Sequence, residues 1–311
     1  MRRVLILCLA CLLCFTCVGE SSSQSRPQGS IAVLFPDIGD PYRGIFLKII
    51  DGIEDKTKSR VLSIPVTNNA NPADLLAQLK RTDIKTVIAL GRNGVKASAG
   101  LDHDFRLILG GVASLGNSDI GGISFNSLAP DPALLFARLK SFMPPVKKIH
   151  VVYETQQNAW LIKAAQNAAK AQGMELIAYE ASDIKAAMLL YQQILGRADP
   201  RSEALWLPQD LKTVQDAVVL PLVLRSAWDN NLLVFSSNVS HVSQGVLFAL
   251  YPDNFEYGRK LGQIALQPNL PHGAATLKEV MIAVNLSTAN HLRINLNYNQ
   301  LQEFNMTFPE R

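Results

Sequence analysis

The chain has 311 residues, a formal charge of +4 and hydrophobic residues at 48% of positions, which is length and apolar content for two domains of ordinary size. All four cysteines, Cys8, Cys11, Cys14 and Cys17, fall in the first 17 residues, so beyond that segment thiol catalysis and cysteine-ligated zinc have no residues to use. The basic residues form no cluster of the kind that marks a nucleic-acid footprint.

Arg2 and Arg3 precede an apolar run from Val4 to Val18, and small or polar residues follow from Gly19 to Ser25. That order predicts a secretory signal over residues 1–19, cleaved after Gly19, and a periplasmic location. The run is shorter than the roughly 20 apolar residues that span a bilayer. A lipid-modified Cys17 is the competing reading of the same segment. The formal +4 becomes +2 once Arg2 and Arg3 are removed, because all 26 acids lie beyond them. Residues 20–30 read as a flexible leader, Ser-rich with Pro27 and Gly29.

The continuous apolar run Ile31 to Phe35 has the pattern of a strand buried on both faces. Pro36, Gly39 and Pro41 punctuate the loop after it, and Ile45, Ile49, Ile50 and Ile53 then recur at helical spacing. Val61 to Val66 is the next strand. Asn71-Pro72 signals a helix entry before Leu75, Leu76 and Leu79. Thr86 to Leu90 is a third strand, ending at Gly91, Arg92, Asn93 and Gly94, and Leu107 to Leu109 a fourth, opening into Gly110, Gly111 and Ser114. Strands alternating with helical segments predict βαβ units around a parallel sheet with right-handed crossovers.

A second series begins with the strand Ile149 to Tyr153 and its polar exit Glu154 to Asn158. Leu161, Ala164, Ala165 and Ala168 line one helix face that Gly173 stops. Met174 to Tyr179 is a strand and Ile184 to Leu195 a helix. Ala204 to Leu207 and Leu232 to Phe235 are further strands, and the helix between them carries Val218, Leu222 and Leu224 with Pro221 inside, which predicts a kink. Gly245 to Tyr251 is one more strand. Phe255, Gly258, Leu261, Gly262 and Ala265 share a helix face, and the two glycines predict a tight approach to the sheet beneath. Val280 to Asn285 is a final strand, and Asn295 to Arg311 carries little pattern.

Small molecules bind beyond the carboxyl ends of strands in open α/β sheets. ALWLPQDLKTV (Ala204 to Val214) reads as such a strand end, so Gln209, Asp210, Lys212 and Thr213 are candidates for solute contacts. Gln209 and Asp210 equally suit the start of a following helix. Among the aromatics near strand ends, Trp160 is a candidate for stacking on a planar solute and Trp206 reads as core.

Dinucleotide, P-loop and nucleophile-elbow motifs are absent. His103, His150, His241, His272 and His291 are scattered and read as loop or surface residues; the acidic pairs Asp102/Asp104 and Glu54/Asp55 read as solvated charge. No catalytic residue, metal or cofactor is expected.

KKIHVVYETQQNAW (Lys147 to Trp160), ALWLPQDLKTV and LLVFSSNVSHVSQGVLFALYPDNFEYGRKLGQIAL (Leu232 to Leu266) resemble the ABC-transporter substrate-binding proteins of the type I periplasmic-binding fold. The branch is the one that includes tryptophan- and tyrosine-binding members, and VMIAVNLSTANHLRI (Val280 to Ile294) resembles its closing strand and helix. The resemblance lies chiefly in the second half; from Ile31 to Pro145 it is one of layout. It implies an α/β protein of two Rossmann-like lobes with three crossovers and a hinge: an N-terminal lobe of residues 31–145 plus 239–268, and a C-terminal lobe of 146–238 plus 269–311.

By position in that pattern, ligand contacts fall at Asp37, Asp40 and Tyr42; at Gly91, Arg92 and Asn93; at Gly111 and Ser114; and at Asn126, following the strand near Ile123. In the second lobe they fall at Gln156, Asn158, Gln209 and Asp210, with Ser236 and Ser237 at the hinge side. Arg92 stands where amino-acid-binding members present a hydroxyl. It suits a bidentate grip on an acidic solute and equally a place in solvent.

The resemblance implies a monomeric, exported receptor that captures a small solute and delivers it to an ABC permease. A ligand sensor working with a membrane signalling or outer-membrane uptake partner is the alternative, and an α/β enzyme the third reading. A transcriptional repressor is disfavoured, since the export signal occupies the place of its DNA-binding helices.

Overall fold

The structure is a computed structural model and describes residues 28–116 and 122–310. The signal segment, Cys17 and the leader up to residue 27 lie outside the described residues.

The first series of elements is β1 (Gln28–Pro36), α1 (Tyr42–Thr57), β2 (Arg60–Val66), α2 (Pro72–Leu79), β3 (Thr86–Leu90), α3 (Gly91–Ala97), β4 (Arg106–Gly110) and β5 (Ser124–Pro130). β1 starts ahead of the apolar run: Gln28 stands opposite Arg60, so residues 28–30, expected as leader, are strand. The helix entry at Asn71-Pro72 is as the sequence predicts, since the Asn71 side chain accepts the Ala73 N–H at 3.0 Å and Pro72 opens α2. A Pro there forfeits no intrahelical bond.

The chain then passes through α4 (Pro132–Phe142), β6 (Lys148–Tyr153), α5 (Thr155–Ala171), β7 (Glu175–Glu180), α6 (Ile184–Leu195), β8 (Glu203–Leu207), α7 (Val219–Asp229), β9 (Leu233–Ser236), α8 (Ser240–Gln244) and β10 (Phe248–Pro252). It closes with α9 (Asn254–Ala265), β11 (Gly273–Leu277), β12 (Val280–Asn285), α10 (Leu286–His291), α11 (Tyr298–Gln302) and β13 (Met306–Phe308). α7 begins at Val219, which puts Pro221 in the first turn. The missing N–H is there one of the helix's unpaired donors, so the expected kink has no cause.

Two sheets result. One is ordered β11-β5-β4-β3-β1-β2, the other β13-β12-β10-β9-β8-β6-β7. Every neighbouring pair is parallel except β10 with β12. Each sheet is buried on both faces. Ile49, Ile53, Tyr257 and Leu261 cover one side of the first sheet, and Leu75, Leu79, Ala97 and Leu101 the other. Leu135, Phe136, Leu161 and Ala165 cover one side of the second, and Tyr191, Val219, Leu220 and Val223 the other. No helix of the described residues is long and apolar enough to cross a membrane.

The chain crosses between sheets three times, after β5, after β10 and after β11. The crossings lie side by side: Asp131 N–H donates to Leu277 O at 2.8 Å, and Asp253 N–H to Glu279 O at 2.9 Å. This redraws the lobe limits expected beyond residue 238. β10 pairs with β9 and β12, so 239–252 belongs with the second sheet; β11 pairs with β5, so 273–277 belongs with the first. Their strands β10 and β11 are short runs of mostly small or apolar residues, and only their long-range pairing assigns them.

Three local readings also change. Gly258 and Gly262 approach α1, not the sheet: a Cβ at Gly258 would lie 2.0 Å from Ile49 O. Glu54 is buried at 7% exposure and accepts hydrogen bonds from Val61 N–H and Arg60 Nη1, both at 3.0 Å, so it is no solvated acid. His150 and His241, expected at the surface, are buried in β6 and α8.

Candidate functional site

Among the described residues, the segment after β4 and strand β5 of the first lobe meet the start of α5, at the carboxyl end of β6, in the second. Ser114 Oγ, in the segment after β4, donates to Gln157 O in the first turn of α5 at 2.7 Å. The ring of Trp160, one turn further along α5, meets Phe125 of β5 edge-on, with centroids 6.4 Å apart. Trp160 is half-buried and packs against the cores of both lobes, so it joins the lobes.

On the first lobe, Asp37, Asp40, Tyr42 and Arg92 are exposed, and Tyr42 is 63% so. The carboxylates of Asp37 and Asp40 and the Arg92 guanidinium make no hydrogen bond or ion pair among the described residues. Asn93 is half-buried, its Nδ2 3.5 Å from Val66 O. Gly91 has φ +68°, and a Cβ there would lie 2.7 Å from Pro36 Cγ; the residue brings α3 down onto the end of β1. Asn126 lies inside β5, not after a strand as expected, and its buried Nδ2 reaches Ser124 Oγ at 3.4 Å.

Asn126 and Gly111 are held by a residue the sequence reading passed over. The buried Tyr257 hydroxyl, on α9, donates to Asn126 O at 2.6 Å and accepts the Gly111 N–H at 3.0 Å. Burial pushes this phenol well above its ordinary pKa, while the Gly111 N–H acts the other way. Tyr257→Phe leaves the part-buried Gly111 N–H and the buried Asn126 carbonyl without this partner at the carboxyl end of β4. The expected loss is about 1–3 kcal/mol of stability, measured by chemical denaturation; an unchanged midpoint would show that the hydroxyl bridge is not formed.

On the second lobe the polar residues divide by direction. Gln156 is exposed at the start of α5, and Gln209 is half-buried, its Nε2 donating to Ser237 O at 2.8 Å. Asp210 is turned inward at 3% exposure. Its carboxylate accepts from Glu154 N–H at 2.7 Å, Asn158 Nδ2 at 3.0 Å, Lys212 N–H at 2.9 Å and Thr213 N–H at 3.2 Å. Asn158, buried with it, points at the same carboxylate. Glu154 caps α5 by accepting the Gln157 N–H at 3.0 Å and pairs with Lys212 Nζ at 3.2 Å. Together these contacts tie the loop after β8 to the loop after β6.

Ser236 and Ser237 are likewise internal. Ser237 Oγ accepts the Trp206 indole N–H at 2.9 Å inside the core. Ser236 Oγ lies 3.1 Å from Leu207 O and 2.9 Å from His241 Nδ1, and His241 Nε2 lies 3.0 Å from Asp216 Oδ1. The order Ser, His, Asp has the outline of a nucleophilic set. Ser236 is 0% exposed, so no substrate reaches its oxygen.

Of the expected ligand contacts, Asp37, Asp40, Tyr42, Arg92 and Gln156 are exposed, and Asn93, Ser114 and Gln209 are half-buried. Asn126, Asn158, Asp210, Ser236 and Ser237 are spent on holding the walls. The sequence could not separate the two sets, because a polar residue after a strand looks the same whichever way it turns. A surface hollow of about 410 Å³ lies at the far pole of the second lobe, between Phe142, Pro200, Leu292 and Arg293, and none of the strand-end residues lines it. Among the described residues no group of three or more His, Cys, Asp or Glu side chains is placed to hold a metal ion.

No protein-family model matches the chain, and no curated protein matches it. Solved structures do. A ligand-free, open substrate-binding protein with adhesive properties from Clostridium difficile superposes with a TM-score of 0.60 at 17% identity, covering 90% of this chain and 98% of its own. An ABC domain in complex with L-Trp from Streptococcus pneumonia gives 0.56 at 16% identity, covering 91% and 100%. A conserved domain protein from Vibrio cholerae gives 0.53 at 17% identity, covering 91% and 99%. With two predominantly parallel sheets and three adjacent crossovers, the chain has the type I periplasmic-binding fold.

Proposed function

We propose that this protein is an exported solute receptor that encloses a small molecule between its lobes and hands it unaltered to a membrane permease of the ABC class. The observation that carries the reading is a pair of sheets joined by three adjacent crossovers and in contact where Ser114 meets Gln157 and Phe125 meets Trp160, with the side chains of Asp37, Asp40, Arg92 and Gln156 exposed in the segments after β1, β3 and β6. Clefts between lobes at strand ends are where such folds bind small ligands. Closure then follows from a ligand binding the closed arrangement better than the open one. Two proteins of similar fold, one a substrate-binding protein and one seen with L-Trp, favour the same reading. The basic-then-apolar N-terminus supports export to the periplasm, and N-terminal sequencing of the secreted protein tests it.

A thermal-shift screen over amino acids, organic acids, nucleobases and sugars is the direct test. A true ligand at about 100 times its Kd stabilises by about 2.7 kcal/mol. Arg92→Ala and Gln209→Ala are expected to abolish the shift while the unliganded protein melts near the wild-type temperature, and the compound is expected to be recovered unchanged. Absence of any hit, or a hit indifferent to both substitutions, sinks the cleft assignment. A product in the incubation would make the protein an enzyme.

A further inference from the structure

His241 carries a conflict of hydrogen bonding that nothing in the receptor reading uses. Its Nε2 faces two groups with opposite needs: Asp216 Oδ1 at 3.0 Å, which can only accept, and Asn238 Nδ2 at 3.1 Å, which can only donate. Flipping the Asn238 amide gives no relief, because its Oδ1 already accepts from the Ser240 N–H and hydroxyl at 3.1 and 3.0 Å. On the other side of the ring, Nδ1 meets Ser236 Oγ, whose single proton has Leu207 O as a second acceptor at 3.1 Å.

The neutral ring with its proton on Nδ1 satisfies Ser236 and Asn238 but turns a lone pair toward the Asp216 carboxylate. With the proton on Nε2 it satisfies Asp216 and draws the Ser236 proton away from Leu207 O. The doubly protonated ring donates to Ser236, releases the serine proton to Leu207 O and gives Asp216 a charge-assisted bond, leaving only the Asn238 amide donor without its acceptor on the ring. Burial opposes that charge and holds the imidazole below its ordinary pKa, and the Asp216 contact works in the opposite direction. Asp216 is the one charged side chain acting on the ring among the described residues; Ser236 from β9, Asn238 from the turn and Asn285 from the end of β12, which binds Val242 O, are uncharged.

We infer that His241 is a proton-operated positioning residue, which on gaining a proton clamps Asp216 and thereby fixes the 208–218 loop that forms the second-lobe wall of the cleft. This rests on the receptor reading for its functional half. The same loop carries Gln209, Asp210 and Leu211, the last 73% exposed. The clamp acts on the loop and not on the ring, because the buried ring stays bonded to Ser236 independently of Asp216. Coupling is reciprocal: whatever Asp216 does for the protonated ring, protonation does for the Asp216 contact.

The test is the ring titration of His241 by NMR in the unliganded full chain and in Asp216→Asn, with His241→Gln to assign the resonance. The wild-type midpoint is expected below that of a free imidazole, and the Asp216→Asn midpoint lower still by about half a unit or more. Amides of 211–217, corrected for intrinsic exchange, are expected to be about fivefold better protected with the ring protonated, in the wild type alone. Equal midpoints in the two proteins, or protection that falls on acidification because the ring escapes to water, would overturn the clamp. These readouts need no ligand, so they stand or fall apart from the receptor reading. For a hit from the screen, affinity is expected to rise several-fold as pH falls through the midpoint in the wild type and to stay flat in Asp216→Asn. A flat wild-type profile would overturn the link from clamp to cleft.

Discussion

Gly258→Ala is expected to destabilise the protein by about 3 kcal/mol or more, at the upper end of what overpacking costs. α1 and α9 cross here backbone to backbone. A Cβ at Gly258 would sit 2.0 Å from Ile49 O and 2.8 Å from Ile49 C, and one at Gly52 would sit 2.1 Å from Phe255 O. Backbone atoms in the middle of helices have no rotamer by which to retreat, so the helices must separate. Ile49, Ile53, Tyr257 and Leu261, which pack on the first sheet from these two helices, would lose contact together.

Alanine's better helix propensity, about 1 kcal/mol over glycine, does not offset that. It does decide the sign at the controls. A Cβ at Gly262 meets Lys56 Cβ at 3.0 Å and Ile53 O at 3.1 Å, a contact relieved by a few tenths of an ångström, and one at Gly44 meets nothing within 4 Å. Gly262→Ala is expected near neutral and Gly44→Ala stabilising by up to about 1 kcal/mol. At a few degrees per kcal/mol, thermal melts order the three variants. A Gly258→Ala protein that melts with the wild type would show that the helices do not cross so closely.

Asp210→Ala is expected to cost about 3 kcal/mol or more as well, through a different cause. The carboxylate satisfies three backbone N–H groups and the Asn158 amide, all buried except the part-buried Lys212 N–H. Each buried donor left without a partner costs about 1–3 kcal/mol, moderated where water enters the space. Asp210→Asn keeps the shape but turns an amide donor toward these same donors, so it should recover only part of the loss. If Asp210 were instead a ligand contact, either change would lower affinity at unchanged stability. Urea denaturation without ligand separates the two. Asp37→Ala, at an exposed position, is expected within about 0.5 kcal/mol of the wild type in the same assay.

The pairing of Asp210 with Glu154 and Asn158 also ties the strand-end loops of the second lobe together. The loops after β6 and β8 are joined by one carboxylate, and Gln209 joins the second of them to Ser237 after β9. The stretch around Asp216 is held instead by its contact with His241, whose imidazole burial keeps below its ordinary pKa.

Local pattern was enough to establish the alternation of strands and helices and the burial of both sheet faces. Uninterrupted runs such as Val87 to Leu90 and Leu205 to Leu207 must be covered on both sides, and Gly, Pro, Asn and Asp at their ends mark where the backbone turns. Sheet membership of β10 and β11, the partner of Gly258, and the inward turn of Asp210, Asn158, Ser236, Ser237 and His241 came only with the tertiary structure. Those depend on which distant backbone supplies the pairing hydrogen bonds or the near atom, and a residue's own neighbours in the chain hold no information about that.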